Sequence, residues 1–206
     1  MSPKVSKEHL EQRRAKILEA ATEVFIQHGY ERTTMKDVMD AAEVSRGGLY
    51  QYFSNKEDLF EAILGERLSE EVGKTSNLLK ESVDSYWDLL LSRIFGESRE
   101  PNDEMDPLAA SNLEFFITGR NDQRRRSYAH ERYNLALKLY MSIIEAGQES
   151  GEFSQKHRSE IIAKSIITFI DGLALDHAIL PKKDLKLKEQ SRLFIEYLRL
   201  VLEVRN

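Results

Sequence analysis

Cysteine is missing from all 206 residues, which excludes disulfides, thiol catalysis and thiolate metal sites and suits a reducing compartment. Proline and glycine are scarce, with four and ten copies, so few positions interrupt a helix. No uncharged run approaches the roughly 18 residues a membrane span requires. The opening stretch MSPKVSKEHLEQRRAK also lacks the apolar centre of a leader. A soluble protein of the cytoplasm is the expectation. Catalytic signatures are missing too: HExxH, GxSxG and a phosphate loop do not occur, and His9, His28, His130, His157 and His177 lack metal-ligand spacing. No catalytic residue, cofactor or metal is therefore assigned.

What the chain does contain is apolar residues at spacings of three and four, with 41% hydrophobic content and little period-two alternation. That pattern predicts an all-α fold of about nine helices. The net charge of −5 argues weakly against nucleic acid as a partner, but it is unevenly spread. Residues 1–56 hold nine Lys or Arg against eight Asp or Glu, a net +1, which leaves −6 for the rest.

A first helix is expected from about His9 to His28, with Leu10, Ile17, Ala21, Val24 and Phe25 on one face and Gly29 as its left-handed cap. Thr34 then begins a capping box with Asp37, and Met35, Val38, Met39 and Ala42 form the stripe of a short second helix. Glu43 and Val44 separate it from the next N-cap candidate, Ser45. Two short helices joined by so tight a turn make a helix-turn-helix, whose second member can lie in a major groove. That member is read as seven or eight residues long, about 12 Å at 1.5 Å per residue.

In VSRGGLYQYFSNKEDLF, residues 44–60, Gly47 and Gly48 would together cost about 2 kcal/mol inside a helix. At the first turn of a DNA-reading helix they instead remove Cβ atoms that hold backbone away from the groove. Leu49, Tyr52 and Phe53 fall on the apolar side and Arg46, Gly47, Gly48, Tyr50 and Gln51 on the other. Asn55 starts a fourth helix, about 56–80, that connects to the remainder. Further helices are expected at about 83–96, 107–118, 122–150, 158–180 and 185–204. The basic stretch EQRRAK is either a solvated helix face or a phosphate anchor, and Arg124, Arg125 and Arg126 read as a solvated helix start or, less simply, an anion site.

Here the residues resemble a family. The opening ILEAA, VF, GY, TT, the core VS.G.LY.YF..KE.L and their fixed separation are similar to the DNA-binding domain of the TetR/AcrR transcriptional regulators, over about 50 residues. The resemblance implies that Thr33 or Thr34 and Lys36 meet phosphate. It places Ser45, Arg46, Gly47, Gly48, Tyr50 and Gln51 on the groove-facing helix, Tyr52 on phosphate and Lys56 on the backbone. Glu43 stands where such proteins commonly carry glycine, and Gly48 where a hydroxyl residue is common.

One short helix reads only a few base pairs, so specific binding needs two. The last two long helices are apolar around much of their circumference. Ile162, Ile166, Ile170, Leu173, Phe194, Leu198 and Val201 are the expected surface of a homodimer. The domains expected are 1–56 for DNA and 57–206 for ligand binding and dimerisation. Trp87, Phe95, Glu114, Phe115, Tyr133, Tyr140, Phe169, Asp171 and His177 are candidate lining of an effector pocket, aromatic with a few polar groups. Glu114 and Asp171, if buried and unpaired, would favour a cationic effector. The reading is a ligand-responsive repressor on a palindromic double-stranded operator, with an unidentified small-molecule effector, no membrane and no enzymatic activity. The alternatives are an all-helical enzyme or carrier that keeps the N-terminal unit as a packing element, and a DNA-binding protein without an effector.

Overall fold

The computed structural model describes residues 7–81 and 83–204, and residues 1–6, where the expected DNA-binding domain begins, lie outside the described residues. Among the described residues there are ten α-helices, one 3-10 turn (Gly119–Asn121) and no strand. The helices are α1 (Lys7–His28), α2 (Met35–Ala42), α3 (Arg46–Tyr50), α4 (Lys56–Lys80), α5 (Tyr86–Phe95), α6 (Ala109–Thr118), α7 (Gln123–Ser150), α8 (Ser159–Ile179), the single turn α9 (Lys182–Leu185) and α10 (Leu187–Leu202). They form two compact units that are not consecutive stretches of sequence. Residues 1–67 join 107–128 in the first, and residues 68–106 join 129–206 in the second.

The first unit forms because each short helix has a chemical start and stop. Gly29, at φ +78°, ends α1 in the left-handed region. Thr34 and Asp37 make the reciprocal capping box of α2, with Thr34 N–H donating to Asp37 Oδ2 at 2.8 Å and Asp37 N–H to Thr34 Oγ1 at 3.3 Å. Ser45 Oγ accepts from Gly48 N–H at 3.2 Å, and Asn55 Oδ1 from Asp58 N–H at 2.7 Å. Inside, Phe25, Tyr30, Phe60 and Phe115 are each almost wholly buried. Their ring centroids lie 4.6 Å (Phe25 and Phe60), 4.9 Å (Tyr30 and Phe115) and 5.2 Å (Phe60 and Phe115) apart, mostly in tilted or edge-on packing.

Polar side chains of α6 then bind the α1–α2 turn. Ser111 donates to Phe25 O at 2.7 Å, Glu114 accepts from Glu31 N–H at 3.0 Å, and Thr118 donates to Glu31 Oε1 at 2.9 Å. The expectation of a solvated arginine start to α7 is corrected here. Arg124 pairs with Asp58 and, at 2.8 Å, with Glu61, whose carboxyl is pushed up by burial against the pull of Arg124. Arg125 lies 4.3 Å from the Phe115 centroid and 5.2 Å from that of Tyr30. Of the three, Arg124 and Arg126 are exposed at the residue level and Arg125 is half-buried, so two are structural.

The second unit is held by apolar packing. Leu90 of α5, Ile143 and Ile144 of α7, Ala163 and Ile166 of α8, and Leu198 and Leu202 of α10 are fully buried in one cluster. Phe169 and Phe194 stack at 3.8 Å between centroids. Gly147 lets the Phe153 ring lie directly against α7, where a Cβ would collide with it. Glu152 fastens the start of α5: its carboxylate accepts from Ser85 Oγ at 2.9 Å, Tyr86 N–H at 2.8 Å and Trp87 N–H at 2.9 Å.

The dimer residues taken from the sequence need correction. Ile162, Ile166, Leu173, Phe194 and Leu198 are buried within the chain's own unit, and Ile170 and Val201 are half-buried, so they are core rather than surface. The outward apolar residues of α8 and α10 are Ile161, Leu175, Ile179, Leu193, Tyr197 and Leu200, the last 79% exposed. On α10 the outward side carries Leu193, Tyr197 and Leu200 among charged residues such as Glu189, Arg192 and Glu196.

Candidate nucleic-acid interface and effector cavity

The helix after the turn is shorter than the sequence implied, five residues instead of seven or eight. Its hydrogen bonding nevertheless continues, with Gln51 N–H donating to Gly47 O and Phe53 N–H to Leu49 O, both at 3.1 Å. Leu49, fully buried, anchors α3 to the core. On the outer side Ser45, Arg46, Gly47, Tyr50 and Gln51 are exposed, and the Arg46 guanidinium rests 5.4 Å from the Tyr50 ring centroid. Glu43 closes α2 at φ 54°, the left-handed region that costs a non-glycine residue about 1–2 kcal/mol.

The two glycines differ. Nothing lies within 4 Å of where a Gly47 Cβ would be, so α3 offers bare backbone there. Gly48 is buried, contrary to the outward placement drawn from the sequence, because the Arg13 side chain from α1 lies over it. Two further contacts need correction in this conformation. Thr33 is 1% exposed and its hydroxyl donates to Gly29 O at 2.7 Å, so of the threonine pair only Thr34 reaches the surface. Tyr52 is half-buried, and its hydroxyl is enclosed without a hydrogen bond. Lys56 directs its ammonium to Tyr30 O at 2.8 Å and Glu31 O at 3.1 Å, which occupies two of its three donors. Lys36 stands exposed on α2.

The second unit contains a cavity of about 350 Å³. Phe95, Tyr140, Phe169, Ile170, Leu173 and Leu187 supply apolar lining, and Glu100, Glu104, Met105 and Asp106 come from the segment after α5. Arg93, also at the wall, is engaged by Thr75 at 2.7 Å and Glu71 at 3.3 Å. Burial pushes the Tyr140 hydroxyl well above the usual tyrosine range, so it stays protonated.

Of the expected pocket residues, the structure brings together Phe95, Tyr140 and Phe169. Trp87 is buried beneath the Arg199 guanidinium and borders a different depression, beside Glu152 and Phe153. Tyr133 and Asp171 are exposed and His177 is half-buried, none of them lining the cavity. Glu114 and Phe115 belong to the first unit, Glu114 at the Glu31 amide and Phe115 in the aromatic core. Glu114 is bonded to the Glu31 amide, and Asp171, whose carboxyl is pushed up by partial burial, lies outside the cavity, so the two do not form a cation site there. The sequence reading did not place Met105 or Leu187 in the lining.

Comparison with known proteins agrees with this architecture. The family profile described as "Bacterial regulatory proteins, tetR family" matches residues 17–63, and "Tetracyclin repressor-like, C-terminal domain" matches residues 95–188. The HTH-type transcriptional regulator YfiR of Bacillus subtilis is 36% identical over 178 residues, covering 84% of this chain and 83% of the relative. The HTH-type transcriptional repressor KstR2 of Rhodococcus jostii is 27% identical over 165 residues, covering 79% and 76%. Among solved structures, the transcriptional regulator FadR from Bacillus subtilis in complex with stearoyl-CoA superposes with a TM-score of 0.64 at 21% identity, over 93% of this chain and 99% of that one. The chain belongs to the TetR family of bacterial regulatory proteins. It is a DNA-binding transcriptional regulator, and its relatives are regulators and not enzymes, which sets aside the catalytic alternative. Among the described residues no helix is long and apolar enough to cross a membrane, and no cluster of three or more His, Asp or Glu is placed to hold a metal ion.

Proposed function

We propose that the chain is a ligand-responsive repressor acting in the cytoplasm as a homodimer. Its two α3 helices would enter successive major grooves of a palindromic operator, about 34–36 Å apart. Residues 1–56 bind DNA, and residues 57–206 bind the effector and dimerise. Thr34 and Lys36 approach phosphate, Ser45, Arg46, Gly47, Tyr50 and Gln51 face the groove, and Lys56 offers its remaining donor to the backbone. The observation that carries the reading is the bare step at Gly47, flanked by exposed Arg46, Tyr50 and Gln51 on a helix anchored by buried Leu49. The repressor name carried by KstR2 supports the direction of control.

The effector occupies the cavity of the second unit, whose volume of about 350 Å³ falls in the range of small-molecule pockets, roughly 300–1,000 Å³. The FadR neighbour is in complex with stearoyl-CoA; the volume and lining of the cavity here suit a compact, largely apolar molecule. Control requires only that the effector prefer one arrangement of α4 over the other. Dimerisation uses the exposed stripe of Ile161, Leu193, Tyr197 and Leu200, which is too apolar to face water alone.

Footprinting on the DNA upstream of the chain's own gene tests the reading. Protection of a two-fold symmetric site is expected, with Gln51→Ala relaxing base preference at fixed positions. No protected site at low salt on that DNA or on genomic fragments would sink it. Sedimentation should give twice the chain mass, and Leu200→Glu should give the monomer.

A further inference from the structure

Arg13 lies at the recognition helix and belongs to none of the contacts proposed above. It sits on α1 and is exposed as a residue, yet its guanidinium folds back onto the start of α3. A Cβ placed on Gly48 would stand 2.9 Å from Arg13 Nη2, 3.7 Å from its Cζ and 3.3 Å from Ser45 Oγ. The missing Gly48 side chain is therefore the seat of the Arg13 guanidinium, beside the exposed Ser45. This explains why the second glycine is buried and the first is open.

The neighbouring arginine shows what a structural role looks like. Arg14 pairs with Glu66 and lies 5.4 Å from the Phe53 ring centroid. Arg13 has no hydrogen bond, ion pair or ring contact among the described residues. A guanidinium carries five N–H donors and its charge persists at any working pH. Lying over Gly48 without an anion, it is matched to one that arrives with a partner. Because it comes from α1 and flanks α3 instead of lying on it, it borders the groove where the strand backbone runs, not the base edges within. Phosphate, which a guanidinium grips through two parallel bonds, is the group that fits.

We infer that Arg13 is a DNA-backbone contact, delivered from α1 and seated by the absent side chain of Gly48. The inference rests on α3 being the groove-facing helix. Gly48→Ser or Gly48→Ala should unseat it, since the closest atom the new Cβ meets is the far end of the flexible Arg13 side chain, with Ser45 Oγ next at 3.3 Å, and the fold can survive.

The test is binding of the full chain to a fluorescently labelled mixed-sequence duplex across a salt series, for wild type, Arg13→Ala, Arg13→Lys and Gly48→Ala. Wild type should bind. Arg13→Ala should lower the slope of log affinity against log salt by about 0.9 per subunit, with the same fold-loss on every sequence and an unchanged melting temperature. Arg13→Lys should restore the slope, and Gly48→Ala should reproduce part of the Arg13→Ala loss. An unchanged slope and affinity in Arg13→Ala overturns the inference, as does a loss confined to particular sequences, which would mean a base contact. Failure of wild type to bind any duplex would instead overturn the groove-facing assignment of α3 on which it rests.

Discussion

The two units are built by different chemistry. In the first, side chains are matched to single backbone atoms: Thr33 to Gly29 O, Ser111 to Phe25 O, Glu114 to the Glu31 amide, Lys56 to two carbonyls of the α1–α2 turn. In the second, apart from the Glu152 cap and polar bonds such as those of Arg93 to Thr75 and Glu71, the long helices meet mainly through Leu, Ile and aromatic surfaces that many residues of similar size could supply. The unit that carries Arg46 and Gln51, the proposed groove contacts, depends on directional bonds. A unit that surrounds a cavity can be assembled from shape and volume.

That contrast can be broken most severely at Phe115. It lies in the later half of the chain yet is fully buried in the first unit, so Phe115→Ala should cost about 3–5 kcal/mol and abolish DNA binding on mild heating. Urea unfolding measures it, and a cost below about 1 kcal/mol would mean that residues 107–128 are not part of that core. Next in size is Gly147→Ala, where the added methyl meets the Phe153 ring and the second unit should lose about 1–3 kcal/mol by overpacking while DNA contacts remain. Thr34→Ala should cost about 1 kcal/mol through the lost cap, and it should weaken DNA binding more than an equal loss in the second unit does.

The smallest effect is in acid. Bonds from the Thr34 hydroxyl and amide hold the Asp37 carboxyl below its ordinary value near 3.8. Its folded value lies under its unfolded one, so its contribution is complete above that ordinary value and is lost as pH falls through the folded value. Amide exchange in α2 should rise over that interval in wild type and show no such step in Asp37→Asn.

Much of the first unit was legible because its signals are local. Thr34, Ser45 and Asn55 cap the helices they were expected to begin, and Gly29 ends α1. Long-range pairings were not legible: nothing near Arg125 announces that it lies over Tyr30, and nothing near Gly48 announces Arg13. Glu114 and Phe115 were assigned to the pocket because their sequence neighbours are, while the chain folds that segment back onto its beginning. On α8 and α10 the helices were read correctly, but the stripe chosen for the dimer is the inward one, because the core of one chain and an interface between chains are both apolar. Phe95, Tyr140 and Phe169 emerged as cavity lining because bulky aromatics there had few other places to go.

Glu152 holds the front of α5 by three bonds, and Ser111 and Glu114 hold α6. The stretch running from Gly96 to Asp106 between those two moorings can therefore lengthen, shorten or change composition without unpicking either helix. Since Glu100, Met105 and their neighbours form a wall of the cavity, the shape and charge of that wall can change with the segment, while the hydrogen bonds that anchor α5 and α6 stay in place.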